Sequence, residues 1–119
     1  MDVNTILANL KELTLDFVNG KRNRQDTLIE LNQRLDPEEI YKMGDNVPEK
    51  AFITEVFVSL NSLTEESFAP SLAEMQYFAE CFEGKRVFSQ EEVRNFPIGD
   101  YENQNPPPAQ SGKPKQGAR

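Results

Sequence analysis

Residues 48–63, PEKAFITEVFVSLNSL, constrain this chain more than any other stretch. At the helical period, Phe52, Leu63, Val56, Leu60, Ile53 and Phe57 share one arc of about 140°. Six large apolar side chains on so broad an arc need neighbours on more than one side, which predicts a helix in the middle of a bundle. Pro48 suits the first helical position, where its fixed φ helps and its missing N–H costs nothing. A strand is the alternative, because residues 53–58 are rich in β-branched and aromatic side chains. Thr54 and Glu55 break the alternation that a strand needs, and the run is long for one strand, so helix is the reading.

The rest of the chain is punctuated as helices too. Residues 4–18 read as a first helix with Asn4 as N-cap. Its stripe is Val3, Ile6, Leu7, Leu10, Leu13, Phe17 and Val18, with Leu15 on the outer face. Gly20 is a stop, and Lys21 and Arg22 face the negative end of the helix dipole. Residues 24–35 form a second helix whose narrow stripe of Leu28, Leu31 and Leu35, with Ile29 off to one side, places it at the periphery. Asp36-Pro37-Glu38-Glu39 restarts the chain, with Asp36 as N-cap and Pro37 at the first position of a short helix carrying Ile40, Tyr41 and Met43. Gly44-Asp45-Asn46 has the chemistry of a loop.

Beyond the central stretch, residues 64–67 read as a loop or the opening of the next helix, with Pro70 as its true start and Gly84 as its stop. Leu72, Met75, Phe78, Ala79 and Phe82 are expected to face inward. Glu74, Tyr77 and Cys81 share the opposite side, within about 60°. Ser89-Gln90-Glu91-Glu92 is a capping-box pattern, with Phe88 and Val93 placed as a hydrophobic staple, and Pro97 keeps this last helix short. The tripeptide Gly-Lys-Arg occurs twice, at 20–22 and 84–86. A duplicated hairpin would produce this, but so would the ordinary way in which helices end.

The chain of 119 residues is long enough for one domain. The fold class is therefore all-α: a small bundle of about five helices over residues 1–100, with a disordered Pro/Gln/Lys tail over 101–119. No apolar run approaches a membrane span, and the N-terminus lacks the basic region of a signal peptide, so a cytoplasmic location is expected. Cys81 is the only cysteine, which fits a reducing compartment. There is no histidine, which removes the commonest general base and the usual zinc or haem ligand. No phosphate loop or dinucleotide fingerprint is present. The adjacent pairs Glu38-Glu39, Glu65-Glu66 and Glu91-Glu92 sit at expected helix starts, where acids favour the positive dipole end, and neighbouring helical residues diverge too far to share a site. The expectation is a protein that is not an enzyme and needs no cofactor or metal.

Charge points toward a partner. Residues 1–102 hold all 20 acids and ten of the 13 bases, a net −10, while residues 103–119 carry +3. Such a body repels nucleic acid and complements a protein with a basic surface. The candidate contacts are Glu38, Glu39 and Tyr41 at the short helix, and Glu74 with Tyr77, since aromatic side chains beside acids anchor interfaces.

The segments ILANLKELTLDFVNGK, EVFVSLNSLTEE and FSQEEVRNF resemble, in that order, the first helix, the central helix with its acidic turn, and the final capped helix of bacterial self-protective immunity proteins of the colicin D type. The likeness is one of pattern over about two thirds of the body, and no binding residue is carried over from it. It implies a small acidic helical inhibitor that masks a basic site on another protein. The alternative is a scaffold subunit that self-associates through Leu15, Val58 and Phe68. Monomer and homodimer are both compatible with the sequence.

Overall fold

The computed structural model describes residues 1–99 and contains six helices over that span. They are α1 (Val3–Val18), α2 (Arg24–Arg34), α3 (Pro37–Tyr41), α4 (Lys50–Asn61), α5 (Leu72–Phe82) and α6 (Gln90–Val93). The expected all-α bundle is what forms. The tail expected to be disordered lies outside the described residues.

The core follows the helical period. From α1 it takes Ile6, Leu10, Leu13 and Phe17; from α4 it takes Ile53, Val56, Phe57 and Leu60. From α5 it takes Met75, Tyr77 and Phe78, and Leu31, Leu35 and Ile40 close it from α2 and α3. The role of hub is shared: α1 packs against α2, α4 and α5, while α4 packs against α1, α2 and α3. Arg24, buried at the start of α2, donates from Nη1 to the Leu63 carbonyl at 3.1 Å and lies 5.6 Å over the Phe17 ring. One backbone carbonyl beyond the end of α4 is thereby satisfied from another helix.

Helix starts differ from the sequence reading in four places. The N-cap of α1 is Asp2, whose Oδ1 accepts from the Thr5 N–H at 2.7 Å, and Asn4 lies inside the helix. A carboxylate does better there than an amide because it also meets the positive dipole end. Pro48 does not open α4. The chain turns through Val47 N–H to Gly44 O and Lys50 N–H to Val47 O, and Glu49 is the N-cap. Pro70 does not open α5 either; Ser71 caps it, accepting from the Glu74 N–H at 3.0 Å. Ser89 makes no side-chain cap for α6, and the other half of the expected capping box is displaced as well: the Ser89 backbone N–H, which the Glu92 side chain would have met, donates instead to the Tyr77 hydroxyl at 2.7 Å. Asp36 and Pro37 sit at the start of α3 as expected.

The two Gly-Lys-Arg segments adopt the same structure. Lys21 N–H bonds Asp16 O and Gly20 N–H bonds Phe17 O; Lys85 N–H bonds Glu80 O and Gly84 N–H bonds Cys81 O. Both glycines have φ +79°. Each is a Schellman stop, and in each the arginine folds back on the acid six positions earlier: Arg22 on Asp16 and Arg86 on Glu80. Because a Cβ at Gly84 would meet nothing within 4 Å, the cost of Gly84→Ala is one of backbone conformation alone. It is expected to be about 1 kcal/mol, read as a lower urea midpoint with an unchanged slope. An unchanged midpoint would mean that the α5 stop does not depend on glycine.

Candidate functional site

Two regions gather the polar and aromatic groups singled out by the sequence. The first is the α3 corner. Glu38, Glu39 and Tyr41 are all exposed there. Glu38 pairs with Lys42 at 3.7 Å and Glu39 with the Met1 amine at 3.1 Å. The Tyr41 ring rests edge-on against buried Phe57, 5.9 Å between centroids, with its other side open. Packing on a core ring holds the tyrosine in place at little further entropy cost on binding.

The second region corrects the reading of α5. Glu74 and Tyr77, expected on the outer face with Cys81, are 4% and 3% exposed. That face is covered because residues after Gly84 fold back over it. The Tyr77 ring packs on Phe96 and Phe78, with the Arg86 guanidinium above it. Its hydroxyl accepts from Ser89 N–H and donates to the Val87 carbonyl at 3.3 Å. Burial pushes this phenol up to about 12, so it stays a neutral latch. Cys81 is half-buried, and burial raises its thiol as well, against a smaller opposing effect of the Tyr77 hydroxyl. A raised thiol is a poor nucleophile at neutral pH.

Glu74 lies at the side of an apolar groove of about 480 Å³, between α4, the loop leading to α5, and the segment around α6. Val58, Phe68 and Ile98 stand at its edges and are exposed, with Phe68 at 64%. Val93 and Phe96 form the apolar wall beyond. The edges are clipped together where Pro70 and Ile98 form an antiparallel bridge and Gly99 N–H bonds Ala69 O at 2.9 Å. Polar groups come from α4 and α5, with Arg94 on the α6 side. Ser59 on α4 donates to Glu74 Oε2 at 2.8 Å. The other oxygen, Oε1, has no hydrogen-bond partner among the described residues and is not sealed from the groove. Glu55 and Arg94 are the other charged side chains of the lining. Burial is the main cause that lifts the Glu74 carboxyl to about 7; the Ser59 hydroxyl opposes the rise and the Glu55 carboxylate adds to it.

Sequence reasoning named Glu74 but placed it in solvent, and it missed Ser59 and the groove. The pattern Ser71-x-x-Glu74 was a usable signal, since it fixes Ser71 as a cap and Glu74 in the first turn. Among the described residues, no group of three or more Cys, Asp or Glu side chains is arranged to hold a metal ion. No helix there is long and apolar enough to cross a membrane. Comparison with protein-family models, with curated proteins and with solved structures returns no match for this chain.

Proposed function

We propose that this chain is a non-catalytic protein-binding module of the cytoplasm that masks a basic surface on a partner protein, as an inhibitor or immunity protein does. The carrying observation is the state of its surface charge. Residues 1–99 hold 18 acids and ten bases, a net −8. Six of those bases, Arg22, Arg34, Lys42, Lys50, Lys85 and Arg86, are already taken up by the protein's own acids. Glu49, Glu55, Glu65, Glu66 and Glu91 form no ion pair among the described residues. An acidic surface with few free cations of its own steers and orients a basic partner.

The test is capture from the native cell extract at low and at high salt, with mass spectrometry of what is held. One basic protein in near one-to-one ratio, released by salt, is the expected result. Retention of this protein alone, whatever the salt, would point instead to a self-associating scaffold. Exposed Val58 and Phe68 favour that second reading; Leu15, which is half-buried, does not add to it. With the partner in hand, Glu38→Lys with Glu39→Lys is expected to weaken association about tenfold, mainly through the on-rate, with little loss of fold. The two ion pairs broken are exposed ones and contribute little to stability. Unchanged affinity would remove the α3 corner from the interface.

A further inference from the structure

We infer that the groove between α4, α5 and α6 is the docking site for an amphipathic, lysine-bearing segment of a partner protein, with apolar side chains along Val58, Phe68, Phe96 and Ile98 and an ammonium group on Glu74 and Glu55. The inference rests on the protein-binding reading above and locates its main contact.

Three observations converge on this occupant. Val58, Phe68 and Ile98 are large apolar side chains left exposed around one groove, which is how recognition surfaces for helices and peptides are built. The groove has room for several side chains, and apolar pockets that bind ligands fall in this size range. Its polar side is anionic: Oε1 of a carboxyl that is otherwise buried opens into it, a second carboxylate, Glu55, lines it, and the lone lining cation, Arg94, is exposed. An anionic partner would have to leave Glu74 and Glu55 unpaired beside it. A wholly apolar partner would bury Oε1 without a hydrogen bond, at a cost in free energy. A primary ammonium supplies what is missing, because it is a compact donor that can bridge two carboxylates while its methylene stem lies along apolar walls.

The chemistry carries a pH signature. Glu74 is largely protonated at pH 6 and largely ionised at pH 8, because burial and Glu55 raise it to about 7. Arg94 is the third charged group of the lining, and lysine itself stays cationic over this range. Binding of an ammonium therefore expels the Glu74 proton, and affinity should rise with pH across this window.

The probe is a short amidated peptide of leucine and lysine in helical alternation, titrated into the full-length ¹⁵N-labelled protein at low salt. Its controls replace every lysine by glutamine or by glutamate. The expected result is movement of the Val58, Ser59, Phe68 and Ile98 amide resonances. Affinity should be at least tenfold higher for the lysine peptide than for the glutamine peptide, and should rise several-fold from pH 6 to pH 8. Glu74→Gln should abolish that rise and most of the lysine preference. Phe68→Ser, at an exposed position that the fold does not need, should weaken all apolar binding. Equal affinity for lysine and glutamine peptides would overturn the inference. So would shifts confined to the α3 corner, which would move the contact while leaving the protein-binding reading intact. A concentration-dependent dimer dissolved by Phe68→Ser would assign the groove to a second copy. Resonances of residues 113–119 that respond to Phe68→Ser without peptide would assign it to the protein's own basic C-terminus. Either result would overturn the inference as stated.

Discussion

Phe78→Ala is expected to lose about 3–5 kcal/mol, a large part of the ~5–15 kcal/mol that holds a domain of this size together. Phe78 has no exposed surface and belongs to the α5 face that packs on α1. Its ring meets Phe52 at 6.2 Å and Tyr77 at 5.9 Å. Phe52 in turn touches Phe82 at 4.8 Å and Phe88 at 5.1 Å, so the void would open where α4, α5 and the segment after Gly84 converge. A space walled by rings that hold one another cannot collapse readily, which puts the cost at the upper end of the range. Phe68→Ala is the internal control. Its side chain is mostly in solvent and should cost under about 1 kcal/mol. Urea denaturation of both variants decides the matter. Two similar midpoints would mean that Phe78 is not the packing centre the fold makes it.

The same contrast shows what the sequence could disclose. Phe78 stands in a 3.6-residue stripe with Met75 and Ala79, and all three are buried, so periodicity found them. The stripes of α1 and α4, the Asp36-Pro37 start and the two glycine stops were legible for a related reason: each depends on residues within a few positions of one another. Tyr77 and Glu74 were not legible as buried. Their face of α5 is polar in composition and is covered by residues 87–96 and by Ser59 of α4, which are 10 or more positions away in sequence. No helical period records that return of the chain. The same long-range contact took the Ser89 N–H that the expected capping box assigns to Glu92, because Tyr77 holds it instead. Asp2 displaced Asn4 on a subtler ground, a preference between two good caps decided by charge. The groove was hidden because its walls come from four separate stretches, and its exposed rim of Val58, Phe68 and Ile98 looks, residue by residue, like ordinary surface.

Glu74→Gln is expected to make the protein more stable at pH 8, by about 2–3 kcal/mol, and to leave it unchanged near pH 4. The folded chain holds the Glu74 proton up to about pH 7, against an ordinary carboxyl value of 4.5. Between these values the folded state binds a proton that the unfolded state has released. Stability contributed by this group is therefore complete below about pH 4.5 and declines as pH rises to 7, by up to ~1.4 kcal/mol per unit, less a discount for the side of the carboxyl open to the groove. Glutamine keeps an oxygen for the Ser59 hydroxyl and carries no charge, so the decline should vanish. At pH 8 the variant should melt about 10 °C higher. Thermal unfolding from pH 4 to pH 8 measures both curves, and parallel curves would show that Glu74 is not the group responsible. If the gap opens as expected, the natural chain carries at neutral pH a carboxyl that costs it stability and that the Ser59 bond alone does not require. Such a cost is the usual mark of a group kept for what it meets from outside. A gain in melting temperature accompanied by a loss of lysine-peptide binding would place both effects on one oxygen, Oε1, the one the fold itself leaves without a partner.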